Sequence, residues 1–265
     1  MVLTRKNYID SPVEIEAELL HFFKREETLV IFDIGACEAE DSIRYAKLFP
    51  MSTVYAFEPR IDNCRKAQAL IKQYNKTGIV LENIALSDKN GTAEFYLSDG
   101  EPHNLKNDEN WDYGNKSSSL LPPSEEMKNH TDWLTFNRKV EVETKRLDDY
   151  VAERKIPTID FAHIDVQGAE LMVLHGAGAF IRNVKLIWME VEAVQLYENQ
   201  LLKNDVEAFM QSNGFINILD TVNNVSGDQL YANKSLLFER DIKALIAERK
   251  RRRRISRLKS FLRLN

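Results

Sequence analysis

Cysteine is scarce in this chain: two occur in 265 residues, Cys37 and Cys64, neither in a CxxC pair nor near histidine at metal-ligand spacing. That excludes a disulfide-stapled miniprotein and favours a reducing, intracellular setting. Long apolar runs are missing as well. No stretch approaches the roughly 20 residues that span a bilayer, and the opening MVLTRKNYID has no apolar core of a secretory leader, so a cytoplasmic protein, soluble or peripheral to a membrane, is expected. Glycine and proline number only 10 and 7 and no internal repeat is visible, which excludes collagen-like and low-complexity chains. What is present, 43% apolar and 9% aromatic residues, suffices for a substantial core, so disorder is excluded too.

The pattern of that apolar material is β-α alternation. Ser11-Pro12 reads as a helix start, with Ile15, Leu19, Leu20 and Phe23 following at helical spacing. Strand-like runs at residues 29–33 and 53–57 flank a helical pattern at 41–48, and a helix at 63–74 leads to a strand at 79–86. A short strand at 93–97 precedes residues 98–138, which lose periodicity, gather turn residues and carry Trp111, Tyr113, His130 and Trp133. Order returns with alternating Val140, Val142 and Thr144, a helix at 147–154 and strands at 159–164, 185–191, 215–219 and 231–238, with helices near 170–179 and 204–212. This order predicts an α/β fold with a doubly wound parallel sheet. The turn-rich residues 223–228 leave no room for a helix, so the last strand pair is expected to be an antiparallel hairpin.

In such a sheet ligands bind beyond the carboxyl ends of the strands, near the first strand. Four segments converge on that edge: Asp33-Ile-Gly-Ala-Cys37, Glu58-Pro59, Asn83-Ile-Ala85 and Asp165-Val-Gln-Gly168. Gly35 lets the backbone turn beneath a ligand, and Glu58 at the end of the second strand is placed to accept hydrogen bonds from both hydroxyls of a ribose. The first loop lacks the glycines of a dinucleotide site. Gly35, Cys37 and Glu40 stand where G-x-G-x-x-G would hold a pyrophosphate, and a glutamate there repels phosphate. S-adenosylmethionine, a sulfonium cation without phosphate, is compatible with such a loop. Two plainer readings stand beside these: Asp33 as a cap of the next helix, and Glu58 as a cap before Pro59.

Together FDIGA (Phe32 to Ala36), FEP (Phe57 to Pro59), NIALSDKNGTAEFY (Asn83 to Tyr96), RLDDY (Arg146 to Tyr150) and HIDVQGAELMVLHGA (His163 to Ala177) resemble the FkbM family of S-adenosylmethionine-dependent methyltransferases. The resemblance covers about residues 29–240, and DVQGAE is its most specific segment. It implies a Rossmann-like class I methyltransferase fold, seven-stranded and mostly parallel with an antiparallel terminal strand. It also implies O-methylation of a sugar hydroxyl in a glycan or glycosylated metabolite. The chain departs from the family in the first loop, where Ala36-Cys37-Glu38-Ala39 replaces GAN followed by another Gly.

A sugar hydroxyl is a poor nucleophile and needs its proton removed as the new bond forms. His163 and Asp165 share one face of their strand, Glu190 and Glu192 one face of the next, and adjacent strand ends bring the pairs together. Asp165 is the expected catalytic residue facing donor and acceptor, with Glu190 or Glu192 as base or anchor; His163 is either a further catalytic group or a core histidine. Asp33, Gly35, Ala36, Glu58, Asn83, Ala85, Asp165 and Gln167 are the expected cofactor contacts. The carboxylates could hold Mg2+, which takes oxygen ligands, but they show no ligand spacing, and no metal site is expected. The aromatics of residues 98–138 either close over an acceptor or pack on one another. A nicotinamide-dependent oxidoreductase and a catalytically silent cofactor-binding scaffold are the rival functions.

The net charge of −5 is unevenly spread, with nine Lys or Arg and no acid between Arg249 and Asn265. An acidic body repels nucleic acid, and Phe261 alone offers a stacking surface in the tail, so a nucleic-acid partner is not expected. Behind the basic block, Ile255, Leu258 and Leu262 fall at helical spacing. Such a helix suits an anionic membrane surface, a glycan-assembly partner or a second copy; a solvated, frayed end is the plainer reading. The expected organisation is a helical segment over residues 1–28, a methyltransferase domain over 29–240 with an inserted loop or lid at about 98–138, and the basic tail over 241–265.

Overall fold

The computed structural model describes residues 4–103 and 111–263, with residues 252–263 given by backbone path alone. In chain order the elements are α1 (Arg5–Asp10), α2 (Glu16–Phe22), β1 (Val30–Ile34), α3 (Glu40–Leu48), β2 (Thr53–Phe57), α4 (Ile61–Gln73) and β3 (Ile79–Glu82). Then come β4 (Ala85–Leu86), β5 (Gly91–Asp99), a 3-10 turn at Gly114–Ser117, α5 (Glu125–His130), β6 (Thr135–Lys145), α6 (Leu147–Arg154) and β7 (Ile159–Ile164). The chain continues through α7 (Glu170–Gly176), a second 3-10 segment at Gly178–Asn183, β8 (Val184–Glu192), α8 (Lys203–Ser212), β9 (Phe215–Asp220), β10 (Ser226–Asn233) and α9 (Glu239–Arg263).

Seven strands form the main sheet in the order β3-β2-β1-β7-β8-β10-β9, and only β10 runs against its neighbours. Alternation divides the core between the two faces. Ile31, Phe161, Leu186 and Leu230 pack against α2, α3 and α9, while Phe32, Ala162, Ile187 and Tyr231 pack against α6, α7 and α8. Ile34 stands level with Phe57 on β2 and Ile164 on β7, and Ile164 with Met189 on β8. The strands therefore end together, and their following loops share one edge. A second sheet, in the order β4-β6-β5, lies outside the first.

Four details depart from the sequence reading. Residues 79–86 do not form one strand: the chain breaks at Asn83-Ile84, and Ala85–Leu86 leaves the main sheet to pair with β6. Ser11 does not start a helix but ends α1, its amide bonding Asn7 O at 3.0 Å and its hydroxyl Tyr8 O at 2.7 Å; α2 begins at Glu16. β6 begins at Thr135, inside the stretch read as aperiodic, and α5 lies within that stretch. The last strand spans Ser226–Asn233 rather than 231–238, because polar residues read as a turn pair with β8 from Ser226 onward. The tail continues the chain as α9, whose Ile242 and Leu245 pack on the α2 side of the core. The expected apolar stripe at Ile255, Leu258 and Leu262 concerns side chains outside the described residues. Among the described residues no helix is long and apolar enough to cross a membrane.

Gly176 ends α7 against the backbone of Ser87, and a Cβ there would lie 2.0 Å from the Ser87 carbonyl oxygen. Alanine ordinarily gains about 1 kcal/mol over glycine inside a helix. Here overpacking reverses the sign, and Gly176→Ala is expected to destabilise by about 1–3 kcal/mol, lowering the melting temperature by roughly 3–10 °C in a calorimetric scan.

Candidate active site

The shared strand edge is stitched by backbone bonds. The amides of Gly35 and Ala36 donate to Phe57 O at 3.0 and 2.9 Å, and that of Asp165 to Ile34 O at 2.9 Å. Gly35 has a φ of +90°, and a Cβ there would fall 1.8 Å from the Asp165 carbonyl oxygen, so only glycine fits. The loop beyond it turns through left-handed Cys37 and Ala39, at φ 49° and 64°. This conformation aims the Cys37 amide at Glu58 Oε2, 2.9 Å away.

A crevice opens at this point. Phe57, Ile84, Leu86, Phe95 and Leu120 give it apolar walls; Glu58, Asn63, Asn115, Lys116, Asp165 and Gln167 supply polar groups. Glu58 also accepts from the Arg60 amide at 2.6 Å, and burial pushes its carboxyl up to about 7. Each carboxylate oxygen retains acceptor capacity beyond these amides.

The first loop is fastened from outside. Asn115 donates to Glu38 Oε1 at 2.7 Å and Lys66 approaches the same oxygen at 2.9 Å, while Arg5 of α1 pairs with Glu38 Oε2. Trp111 Nε1 donates to Glu40 Oε1 at 2.7 Å and Lys116 lies 3.2 Å from it. Glu38 and Glu40 are thus spent on structural partners, and the charge expected to repel phosphate is taken up by Lys116 and Trp111. Trp111 is buried against Tyr8 and Tyr113, and Trp133 packs on the cluster of Met127, Leu134 and Tyr197. Neither lines the crevice; the insert reaches it through Asn115, Lys116, Ser118 and Leu120.

Beside the crevice lies a cluster of acids on one face of the sheet. Gln167 Nε2 donates to Asp165 Oδ1 at 2.7 Å and to Glu190 Oε2 at 2.6 Å, and Tyr197 donates to Gln167 Oε1 at 3.1 Å. Glu170 braces the turn by accepting from the amides of Val166 and Gly168 at 3.1 and 3.2 Å. Burial, reinforced by neighbouring carboxylates, pushes Glu170 up to about 7, Glu192 up to about 9 and Glu190 well above the ordinary range. Asp228, raised to about 6 by burial and by Asp165, stands directly opposite Glu190 on β10.

The expected site residues divide accordingly. Gly35, Glu58, Ala85, Asp165 and Gln167 line the crevice, and Gln167 ties Glu190 to Asp165. Glu192 is buried two residues further along β8. Three expected cofactor contacts lie elsewhere. Asp33 faces away, bonding Ser42 at 2.5 Å and His163 Nδ1 at 3.1 Å; Ala36 is buried outside the lining; Asn83 spends its amide on the carbonyls of Glu58 and Pro59, both at 2.9 Å. His163 bonds Asp33 Oδ1 through Nδ1; burial lowers its pKa, but Asp33, Asp41 and Asp165 outweigh burial and raise it to about 9. Sequence reasoning missed Asn63, Asn115 and Lys116, which occupy the crevice from α4 and the aperiodic insert, and Tyr197 and Asp228. No spacing announces the insert residues. Among the described residues no group of three or more His, Cys, Asp or Glu converges to hold a metal ion.

The sheet order, with its reversed β10 between β8 and β9 and its crevice over the end of β1, defines a class I methyltransferase. A model of the methyltransferase FkbM domain matches residues 33–216. A curated relative, 2-O-methyltransferase NoeI of Sinorhizobium fredii, is 28% identical over 229 residues, covering 85% of this chain and 88% of that protein. Among solved structures, methyltransferase FkbM from Methylobacillus flagellatus aligns at 14% identity with a TM-score of 0.47, covering 86% of this chain and 50% of that one. Precorrin-6y C5,15-methyltransferase from Geobacter metallireducens aligns at 14% identity with a TM-score of 0.43, covering 87% and 93%. The chain belongs to the FkbM methyltransferase family and is an S-adenosylmethionine-dependent enzyme.

Glu58, Glu170, Glu192 and His163 all have folded-state pKa values above their ordinary ones. Each contributes stability that is complete at low pH and lost as pH rises through the folded value. Asp10, held at about 2 by Lys47 and Lys6, has finished titrating below this window. The melting temperature of the ligand-free protein is therefore expected to fall between pH 6 and pH 9, by on the order of 5 °C in buffers of matched ionic strength.

Proposed function

We propose that the chain transfers the methyl group of S-adenosylmethionine to a sugar hydroxyl of a glycan or glycosylated metabolite. The carrying observation is the position of Asp165, which lines the crevice beside Gly35 while Gln167 ties its carboxylate to Glu190. The relative named as a 2-O-methyltransferase supports transfer to a hydroxyl oxygen.

The residues present fit the donor. Glu58 would accept hydrogen bonds from its ribose hydroxyls, and the apolar walls at Ile84 and Phe95 suit its adenine. When bound, S-adenosylmethionine supplies a methyl on a cationic sulfur, already activated for displacement. The protein has to align the acceptor oxygen in line with it and remove the proton. Asp165 takes that proton as the oxygen–carbon bond forms and the carbon–sulfur bond breaks. Gln167 fixes the carboxylate, Glu190 anchors the acceptor, and Glu192 lies behind it. On this reading residues 29–240 form the catalytic domain, the insert is its lid, α1 and α2 brace its first loop and flank, and the basic tail from Arg249 to Asn265, in which Arg249 itself pairs with Glu18, would meet an anionic surface or a protein partner.

Asp165→Asn is expected to lower kcat by roughly 10²–10⁴-fold while S-adenosylmethionine affinity stays within threefold. Unchanged turnover would remove Asp165 from the chemistry. Glu58→Gln is expected to weaken S-adenosylmethionine binding by about 10–100-fold in calorimetry, the scale of a hydrogen bond to a charged group. Preference for NAD in the same experiment would favour an oxidoreductase, and donor binding without label reaching any oligosaccharide would favour a scaffold.

A further inference from the structure

A single cation lines the crevice. Among the described residues of its wall the acids are Glu58 and Asp165, and the one basic side chain is Lys116, brought in by the insert. Its Nζ lies 3.2 Å from Glu40 Oε1 and 3.9 Å from Cys37 Sγ, with the Trp111 ring centred 5.4 Å away. Burial lowers the Lys116 pKa, but Cys37, Glu40 and Glu38 outweigh burial and raise it, so the ammonium keeps its proton.

Glu40 does not account for this charge by itself. Its Oε1 already accepts from Trp111 Nε1 at 2.7 Å, and Arg5 Nε lies 3.9 Å from the same oxygen. The bond from Lys116 is the longer one at 3.2 Å, whereas charge-assisted N–H···O bonds run to about 2.7–2.9 Å. An ammonium has three N–H donors, and sulfur is a weak acceptor. Once Glu40 and Cys37 are served, one donor of Lys116 has no acceptor among the described residues. Cys37 also connects Lys116 to the rest of the site, because its amide bonds Glu58 Oε2 at 2.9 Å while its sulfur faces the ammonium.

We infer that Lys116 holds the carboxylate of the amino-acid arm of S-adenosylmethionine, so that a residue of the insert selects the far end of the donor. This rests on the donor lying in the crevice with its ribose at Glu58, and it is independent of the acceptor. The donor has one anionic group, and two acids in the crevice wall would repel it. A fixed ammonium one residue from the ribose-binding carboxylate offsets that repulsion and supplies a hydrogen bond. Lys116 then has two tasks, fastening the first loop through Glu40 and reading the donor. A hydrogen bond to a charged group is worth about 10–100-fold in affinity.

The test titrates the full chain calorimetrically with S-adenosylhomocysteine and with its decarboxylated counterpart, 5′-deoxy-5′-(3-aminopropylthio)adenosine, which keeps the amine and lacks only the carboxylate. The parent is expected to bind S-adenosylhomocysteine about tenfold or more tighter. Lys116→Met is expected to weaken S-adenosylhomocysteine by about 10–100-fold and to leave the decarboxylated compound bound as before or tighter, since an acidic crevice relieved of a cation attracts its ammonium. Lys116→Gln, which can still donate to Glu40, is read in the same way if Lys116→Met does not fold. Equal binding of the two compounds by the parent, or a preference that survives both variants, would overturn the inference. So would equal weakening of both compounds in the variants, which would leave Lys116 a fastener of the loop and nothing more. Glu58→Gln separates the two assignments: if it weakens both compounds while the parent does not distinguish them, the donor placement stands and only the role of Lys116 falls. Failure of the parent to bind either compound would remove both together.

Discussion

The carbonyl oxygen of Asp165 occupies the space that a side chain at position 35 would need. This contact joins the end of β1 to the end of β7 and makes two loops into one site. Because Gly35 carries no Cβ, the chain passes beneath Asp165, its amide reaches Phe57 O, and the ends of three strands lock together. The Asp165 side chain then emerges beside the crevice rather than above an open edge. Glu170 holds the other side of the same turn through two amides, so the segment from Asp165 to Gly168 is fixed at both ends.

Buried carboxylates around this junction fall into two kinds, and the difference separates scaffold from site. Asp33, Glu38 and Glu40 are paired with His163, Arg5, Lys66 and Lys116. Removing one partner of such a pair leaves an uncompensated buried charge, so these acids hold the first loop and the insert in register. Glu190, Glu192 and Asp228 have, among the described residues, no Lys or Arg within ion-pair reach, and burial, with neighbouring carboxylates second, drives their carboxyls toward the neutral form. An arrangement that raises the free energy of the empty protein is expected where a ligand is to be bound.

Much of the architecture was legible because apolar periodicity encodes it. Runs such as Val30–Ile34 and Ile159–Ile164 are buried along nearly their whole length, and the helices between them repeat at the expected spacing. Failures cluster where other demands overrode the pattern. The first half of β10 escapes the pattern because Ser226, Gly227 and Asp228 look like loop, yet they pair with β8 and set Asp228 opposite Glu190. The same cause hid the site itself: Gly35, Glu58 and Asp165 follow apolar strands and could be found, whereas Asn115 and Lys116 enter from a segment with no period. For His163 the residue type suggests proton transfer, and its bond to Asp33 is visible only in the fold.

The first loop shows how a departure from a family's glycine pattern is accommodated. Left-handed backbone costs a non-glycine residue roughly 1–2 kcal/mol, and the loop contains two such residues, Cys37 and Ala39. Glycine would relieve that cost but leave the loop with more freedom to lose on folding. Here the conformation is imposed by neighbours instead. The Cys37 amide bonds Glu58, Glu38 is gripped from α1, α4 and the insert, and Glu40 from the insert. Each grip reaches the loop from a different element, so the loop is held only when those elements are docked. Rigidity is obtained here from charge and hydrogen bonds, which couple the shape of the crevice to the position of the insert.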